Sequence, residues 1–200
     1  MIETKIKLSA HELMIAQDAA LILTKNAIIQ KTIGLFSSLA ENMQQELVKA
    51  KLADEIKKTE PKISKGENYK GLPYVMLDYP RLFGKENIFA IRTLFWWGNY
   101  FSTTLHLKGS YKEMFAGVIR GNMTLLKNKN FFISISNDEW EHEHDEDNYV
   151  SLSCITENEF DDIVKKRIFL KISAKTALSE WDNCPTILIE LFRDVLNVMR

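Results

Sequence analysis

Cysteine is nearly absent from this chain: two residues in 200, Cys154 and Cys184, with no CxxC pair. That excludes a disulfide framework. Prolines number four and glycines eight, too few for a collagen-like or low-complexity chain. No stretch approaches the ~18–20 uncharged apolar residues of a membrane helix. The most apolar run, Ile88 to Trp97, is interrupted by Arg92. Glu3, Lys5 and Lys7 near the start are followed by no continuous apolar core of a secretion signal. Net charge is lacking too, since 26 Lys+Arg balance 27 Asp+Glu to −1. That balance argues against nucleic acid or an anionic membrane as a partner held by bulk charge. With 46% hydrophobic and 26% charged residues, the chain reads as a folded, cytoplasmic protein rather than a disordered one.

What is present reads as a single α+β domain, 1–200, in three parts. Residues 1–58 form an N-terminal helical arm, a short helix plus a long one. Ser9 and Glu12 stand at capping-box spacing, where each side chain satisfies a free N–H at a helix start. The pattern hesitates near Thr24 to Asn26, and a second helix is predicted over about 26–57. Its apolar stripe, Ile29, Ile33, Phe36, Ala40, Met43 and Leu47, advances by alternating fours and threes and keeps to one face. Such a stripe serves either core packing or a homodimer surface. Residues 59–86, with Pro61, Pro73 and Pro80, read as a connecting segment holding one short strand at Tyr74 to Leu77. Residues 87–200 read as a mainly antiparallel sheet with inserted helices, on which the arm packs. Ser110 with Glu113 and Thr156 with Glu159 repeat the capping-box spacing, and Pro185 suits the first turn of a last helix.

The most distinctive segment is the aromatic hairpin Phe89 to Lys108. Taking Gly98-Asn99 as a two-residue turn sets Trp97 opposite Tyr100. One face then carries Ala90, Arg92, Leu94 and Trp96 with Phe101, Leu105 and Leu107. The other carries Phe95, Trp97, Tyr100, Thr104 and His106. That second face mixes rings with hydroxyls and an imidazole, the composition of a ligand cleft. Trp97, Tyr100, Thr104 and His106 are therefore candidate ligand-binding residues for a small molecule or protein. Arg92, alone among apolar neighbours, is a candidate carboxylate or phosphate binder, with Asp78 as its structural alternative. A turn slipped by one residue would reassign both faces.

Residues 138–147 hold seven carboxylates, two histidines and Trp140. In extended chain His142 and His144 point the same way and could ligate one divalent metal, with His106 or a carboxylate as a third ligand. The alternatives are a solvated tip whose carboxylates raise the histidine pKa values, or docking on a basic partner surface. Cys184, before a helix start, is a candidate thiolate, with Asp182 as the helix cap. No catalytic residue is assigned, because no GxSxG, HExxH or phosphate-cradling glycine loop is present. The expected function is a non-enzymatic ligand-binding or interaction domain, with a metal protein or metal-dependent enzyme centred on His142 and His144 as the alternative. Charge is unevenly spread: residues 1–70 sum to +2, 71–137 to +5 and 138–200 to −8. If the basic middle and the acidic end face each other, the asymmetry is structural.

Overall fold

The computed structural model describes residues 6–200; Glu3 and Lys5 lie outside them. In chain order the elements are α1 (Ala10–Gln17), α2 (Ala19–Lys49), α3 (Asp54–Lys57), β1 (Lys62–Tyr69), β2 (Leu72–Phe83), β3 (Ile88–Trp96) and β4 (Tyr100–Lys108). There follow α4 (Ser110–Gly121), α5 (Met123–Asn128), β5 (Phe132–Ser134), β6 (Tyr149–Ser151), α6 (Glu157–Lys166), β7 (Phe169–Ala177) and α7 (Cys184–Asn197). The strands form one antiparallel sheet in the order β1-β2-β3-β4-β7-β5-β6. The architecture is α+β. Among the described residues no helix is long and apolar enough to cross a membrane.

Two of the three capping boxes form, at Ser9 and Thr156. At the third, Gly109 is the cap, and the Ser110 hydroxyl instead donates to the Asn87 side chain at 2.9 Å. The long helix starts earlier than its stripe suggests because Asp18 accepts the Leu21 N–H at 3.2 Å and caps it there. Nothing breaks it until Lys49, so α3 is a separate turn.

The largest departure lies at 59–86, which is a hairpin of two long strands rather than connecting chain. Lys70 and Gly71, with φ of 50° and 81°, supply the two positive-φ residues of a tight hairpin turn. Pro80 sits in a bulge, where the pairing passes from Asp78↔Arg92 to Arg81↔Ala90. A residue without an N–H is tolerated there because the ladder is already interrupted.

The aromatic hairpin corrects its expected register by one residue. Its turn spans Trp96 to Asn99, closed by the Asn99 N–H on the Trp96 carbonyl at 3.1 Å. Gly98 occupies the third position with φ of 73°, the place where such a turn needs positive φ. Trp96 therefore pairs with Tyr100 and Phe95 with Phe101, which exchanges the β3 side chains between faces. Phe89, Ile91 and Phe95 join Phe101, Leu105 and Leu107 in the main core, beneath Phe36, Met43 and Leu47 of α2 and Leu188 and Phe192 of α7. Ala90, Arg92, Leu94 and Trp96 instead share the opposite face with Tyr100, Thr104 and His106. Trp97, placed with Tyr100 by the two-residue turn, lies on the helix side against the main core.

Candidate functional site

The second face of the sheet carries a polar row set by strand register. Asp78 pairs with Arg92, Arg92 with Thr104, and Thr104 with Ser173 across β2, β3, β4 and β7. Side chains in such a row stand side by side. Arg92 donates from Nε and Nη2 to the two Asp78 oxygens at 2.7 and 3.0 Å, a bidentate pair. Thr104 and Ser173 hydroxyls meet at 2.7 Å. The next row holds Ala90, His106 and Lys171.

The acidic segment does not form a solvated tip. Residues 135–148, without regular structure, lie as a strap over these rows. Tyr69 Oη accepts the His142 and Glu143 N–H groups at 2.8 and 3.0 Å and donates to the Glu141 carboxylate. Tyr100 Oη accepts the His144 N–H at 2.9 Å. The Lys171 ammonium donates to the Glu139 carbonyl at 3.0 Å and to that of Glu141. Lys108 binds the Glu139 carboxylate at 2.9 Å, and Lys70 holds Glu141 and Glu143. Lys70 and Lys108 thus pair with three of the strap's seven carboxylates, so part of the charge asymmetry is structural.

His142 and His144 do point the same way, into the sheet, but onto different strands. Arg92 Nη1 lies 3.0 Å from His142 Nε2. A guanidinium can only donate, so His142 is neutral there and carries its proton on Nδ1. His144 Nε2 meets Ser173 Oγ at 2.9 Å, and its ring stacks on Tyr149 with centroids 4.2 Å apart. His106 Nε2 lies 3.2 Å from the Glu139 carboxylate. Among the described residues no three His, Cys, Asp or Glu side chains gather as a metal would require, so the divalent-metal reading finds no support.

The histidine pKa values move opposite to expectation. Burial, then the Lys171, Arg92 and Lys108 charges, hold His106 down to about 3. Burial with Lys175 and Lys171 does the same to His144, also to about 3. His142 is lowered well below 6.5 by burial, Lys171 and Arg92. The Glu139 carboxylate lies near His106, but burial and the Lys171, Arg92 and Lys108 charges outweigh it. Burial also brings Lys171 down to about 7, Arg92 acting in the same sense.

Arg92, Thr104 and His106 come together with His142, Lys171 and Phe83 around a space of about 10 Å³. That holds one water at most. Next to it opens a groove of about 260 Å³, lined by Lys62, Ser64, Asp78, Arg81, Phe83, Arg92 and Trp140. Phe83 and Trp140 are 41% and 47% exposed, their ring centroids 6.0 Å apart. The Arg92 guanidinium carbon lies 5.8 Å from each ring centroid. Tyr100 takes no part in the groove, and Trp97 belongs to the other side of the sheet.

Comparison with known families, curated proteins and solved structures finds no match. What the site can do rests on its own chemistry. Cys184 is buried and its thiol is pushed up to about 11 by burial and by Asp182, the reverse of an activated thiolate. Asn183, not Asp182, occupies the cap position, with no side-chain hydrogen bond. A larger groove of about 670 Å³ by Lys85, Lys108, Lys112 and Arg167 has no aromatic wall. Lys108 and Lys112 there are engaged by Glu139 and by the Arg167 carbonyl.

Sequence reasoning missed Lys171, Tyr69, Ser173, Arg81 and Phe83. Lys171, Ser173 and Lys175 alternate with Leu170, Ile172 and Ala174, which marks one polar strand face. Arg81 and Phe83 share a face with Asp78 only because of the bulge, which no alternation rule reveals.

Proposed function

We propose that this protein is a non-enzymatic binding domain for a small planar anion, a ring bearing a carboxylate or phosphate, held in the groove beside Arg92. One observation carries the reading: two exposed aromatic rings flank a fixed guanidinium in a groove that also holds Arg81 and Lys62. Asp78 neutralises Arg92 alone, so Arg81 and Lys62 leave the groove cationic. Arg81 is oriented by donating its Nε–H to the Glu60 carbonyl at 3.1 Å, which leaves its terminal nitrogens for an anion. Trp140 offers its face to a ring. The buried polar row acts as a rigid floor, keeping Arg92 in place through Asp78 and His142. This is the ordinary makeup of a ligand site, apolar walls with a few oriented polar groups.

The test is thermal unfolding of the full chain with benzoate, AMP and inorganic phosphate in parallel. Benzoate or AMP is expected to raise the midpoint in a saturable way, with phosphate weaker. Arg81→Ala and Trp140→Ala are expected to weaken the response at least tenfold while leaving the unliganded midpoint nearly unchanged. No response to any of the three at millimolar concentration, or an unaltered response in both variants, would contradict the reading.

A further inference from the structure

The strap site does not involve the N-terminal helices, and these carry a separate signal. α1 has no buried residue, and the first buried residue of α2 is Ile29. Residues 10–24, on α1 and the first turns of α2 either side of the non-helical Asp18, are all exposed and form an arm. Along it Leu13, Met14, Leu21, Ile22 and Leu23 are exposed, as are Ile6 and Leu8 before it. At roughly 100 Å² for each such side chain, the arm offers on the order of 700 Å² of apolar surface. That approaches one partner's share of a standard protein interface.

The same chain carries a matching socket at the arm's root. Ile28, Phe95, Trp97, Gly98, Leu178 and Trp181 line a groove of about 260 Å³ that is almost wholly apolar in its side chains. The arm does not fill its own socket. Leu13 and Met14 stay 48% and 60% exposed, and of the N-terminal helices only Ile28 is among the socket's lining residues. A second copy can: two arms laid antiparallel bring each tip to the other's root, and this two-fold arrangement closes on itself. An anionic membrane is a poorer occupant. Lys7 and Lys25 are offset by Glu12 and Asp18, so the arm lacks the cationic face such binding uses.

We propose that the protein is a two-fold homodimer in which the α1–α2 arm of each protomer packs in the Trp97–Trp181 socket of the other. The hairpin tip thus serves association, on the face opposite the anion groove.

Sedimentation equilibrium of the full chain is expected to give twice the 23.2 kDa chain mass at micromolar concentration. Leu21→Glu/Ile22→Glu is expected to give a single chain, with the far-ultraviolet circular dichroism and unfolding of the body retained, since both side chains are exposed and neither belongs to the core. A bimane label on Leu13→Cys in a Cys154→Ser background reports the socket through quenching by Trp97 and Trp181. Quenching is expected in the dimer and is expected to vanish on dilution. A monomeric wild type at 100 µM, a dimer that survives the double substitution, or a dimer without quenching would each overturn the proposal. Recovery of the chain on phosphatidylcholine–phosphatidylserine vesicles without self-association would overturn it as well.

Discussion

At the residue scale, the second face of the sheet holds charged groups buried with their partners. Arg92 and Asp78 have side-chain exposures of 12% and 8%, so removing one leaves the other charged and unpaired. Arg92→Met is expected to cost about 3–5 kcal/mol, and Asp78→Leu/Arg92→Met to cost less than that. Urea unfolding of both variants measures the difference. The histidines give a pH dependence whose sign follows from their lowered pKa values. His106 and His144 titrate near 3 when folded and near 6.5 when free. The groups facing them are Lys171, Arg92, Lys108 and Glu139 for His106, and Lys175, Lys171 and Tyr149 for His144. Below about 6.5 the unfolded chain takes up protons that the folded chain refuses. Stability is therefore full above 6.5 and is lost as pH falls toward 3, at up to about 1.4 kcal/mol per pH unit for each histidine. Urea midpoints between pH 7.5 and 5 are expected to fall in the wild type and to fall less steeply in His144→Gln.

At the element scale, two capped helix starts and the aromatic hairpin were legible in the sequence; the 59–86 hairpin and the strand register were not. Ser9-Glu12, Thr156-Glu159 and Pro185 mark their helix starts because capping chemistry is local. Gly98-Asn99 locates a turn, yet two-residue and three-residue turns share that pair. The choice between them moved Arg92 and Trp96 onto the face of Tyr100 and His106. The tryptophans decide it: Trp96 packs with Met76 and Leu94 over the sheet, and Trp97 fits beside Ile28 and Trp181. The prolines misled at 59–86 because Pro80 sits inside a bulge, a long-range pairing feature that composition does not show. Gly98 tests the observed turn. Nothing lies within 4 Å of a Cβ added there, so Gly98→Ala pays only for positive φ. A loss of about 1 kcal/mol is expected in chemical denaturation, whereas a turn with ordinary φ would tolerate alanine.

At the scale of the whole molecule, one sheet separates two unlike surfaces. On one side the acidic strap neutralises a basic face and leaves a cationic groove at Trp140. On the other, the arm and the hairpin tip expose apolar surface. The net charge of −1 conceals both, since it averages over a strap in which Lys70 and Lys108 match only three carboxylates. Arg92 could be singled out from the sequence as a cation among apolar neighbours, and Asp78 as its partner. Lys62, Arg81, Phe83 and Trp140, which complete the groove, come from strands and a strap that only the assembled sheet brings together.

The central claim, that the groove beside Arg92 takes a planar anion, is tested most directly at Trp140. In ¹⁵N-resolved spectra the four tryptophans give separate indole signals. Titration with AMP is predicted to move the Trp140 signal saturably and to leave those of Trp96, Trp97 and Trp181 in place. A titration that leaves Trp140 unmoved, or that moves Trp97 and Trp181 instead, would contradict the account.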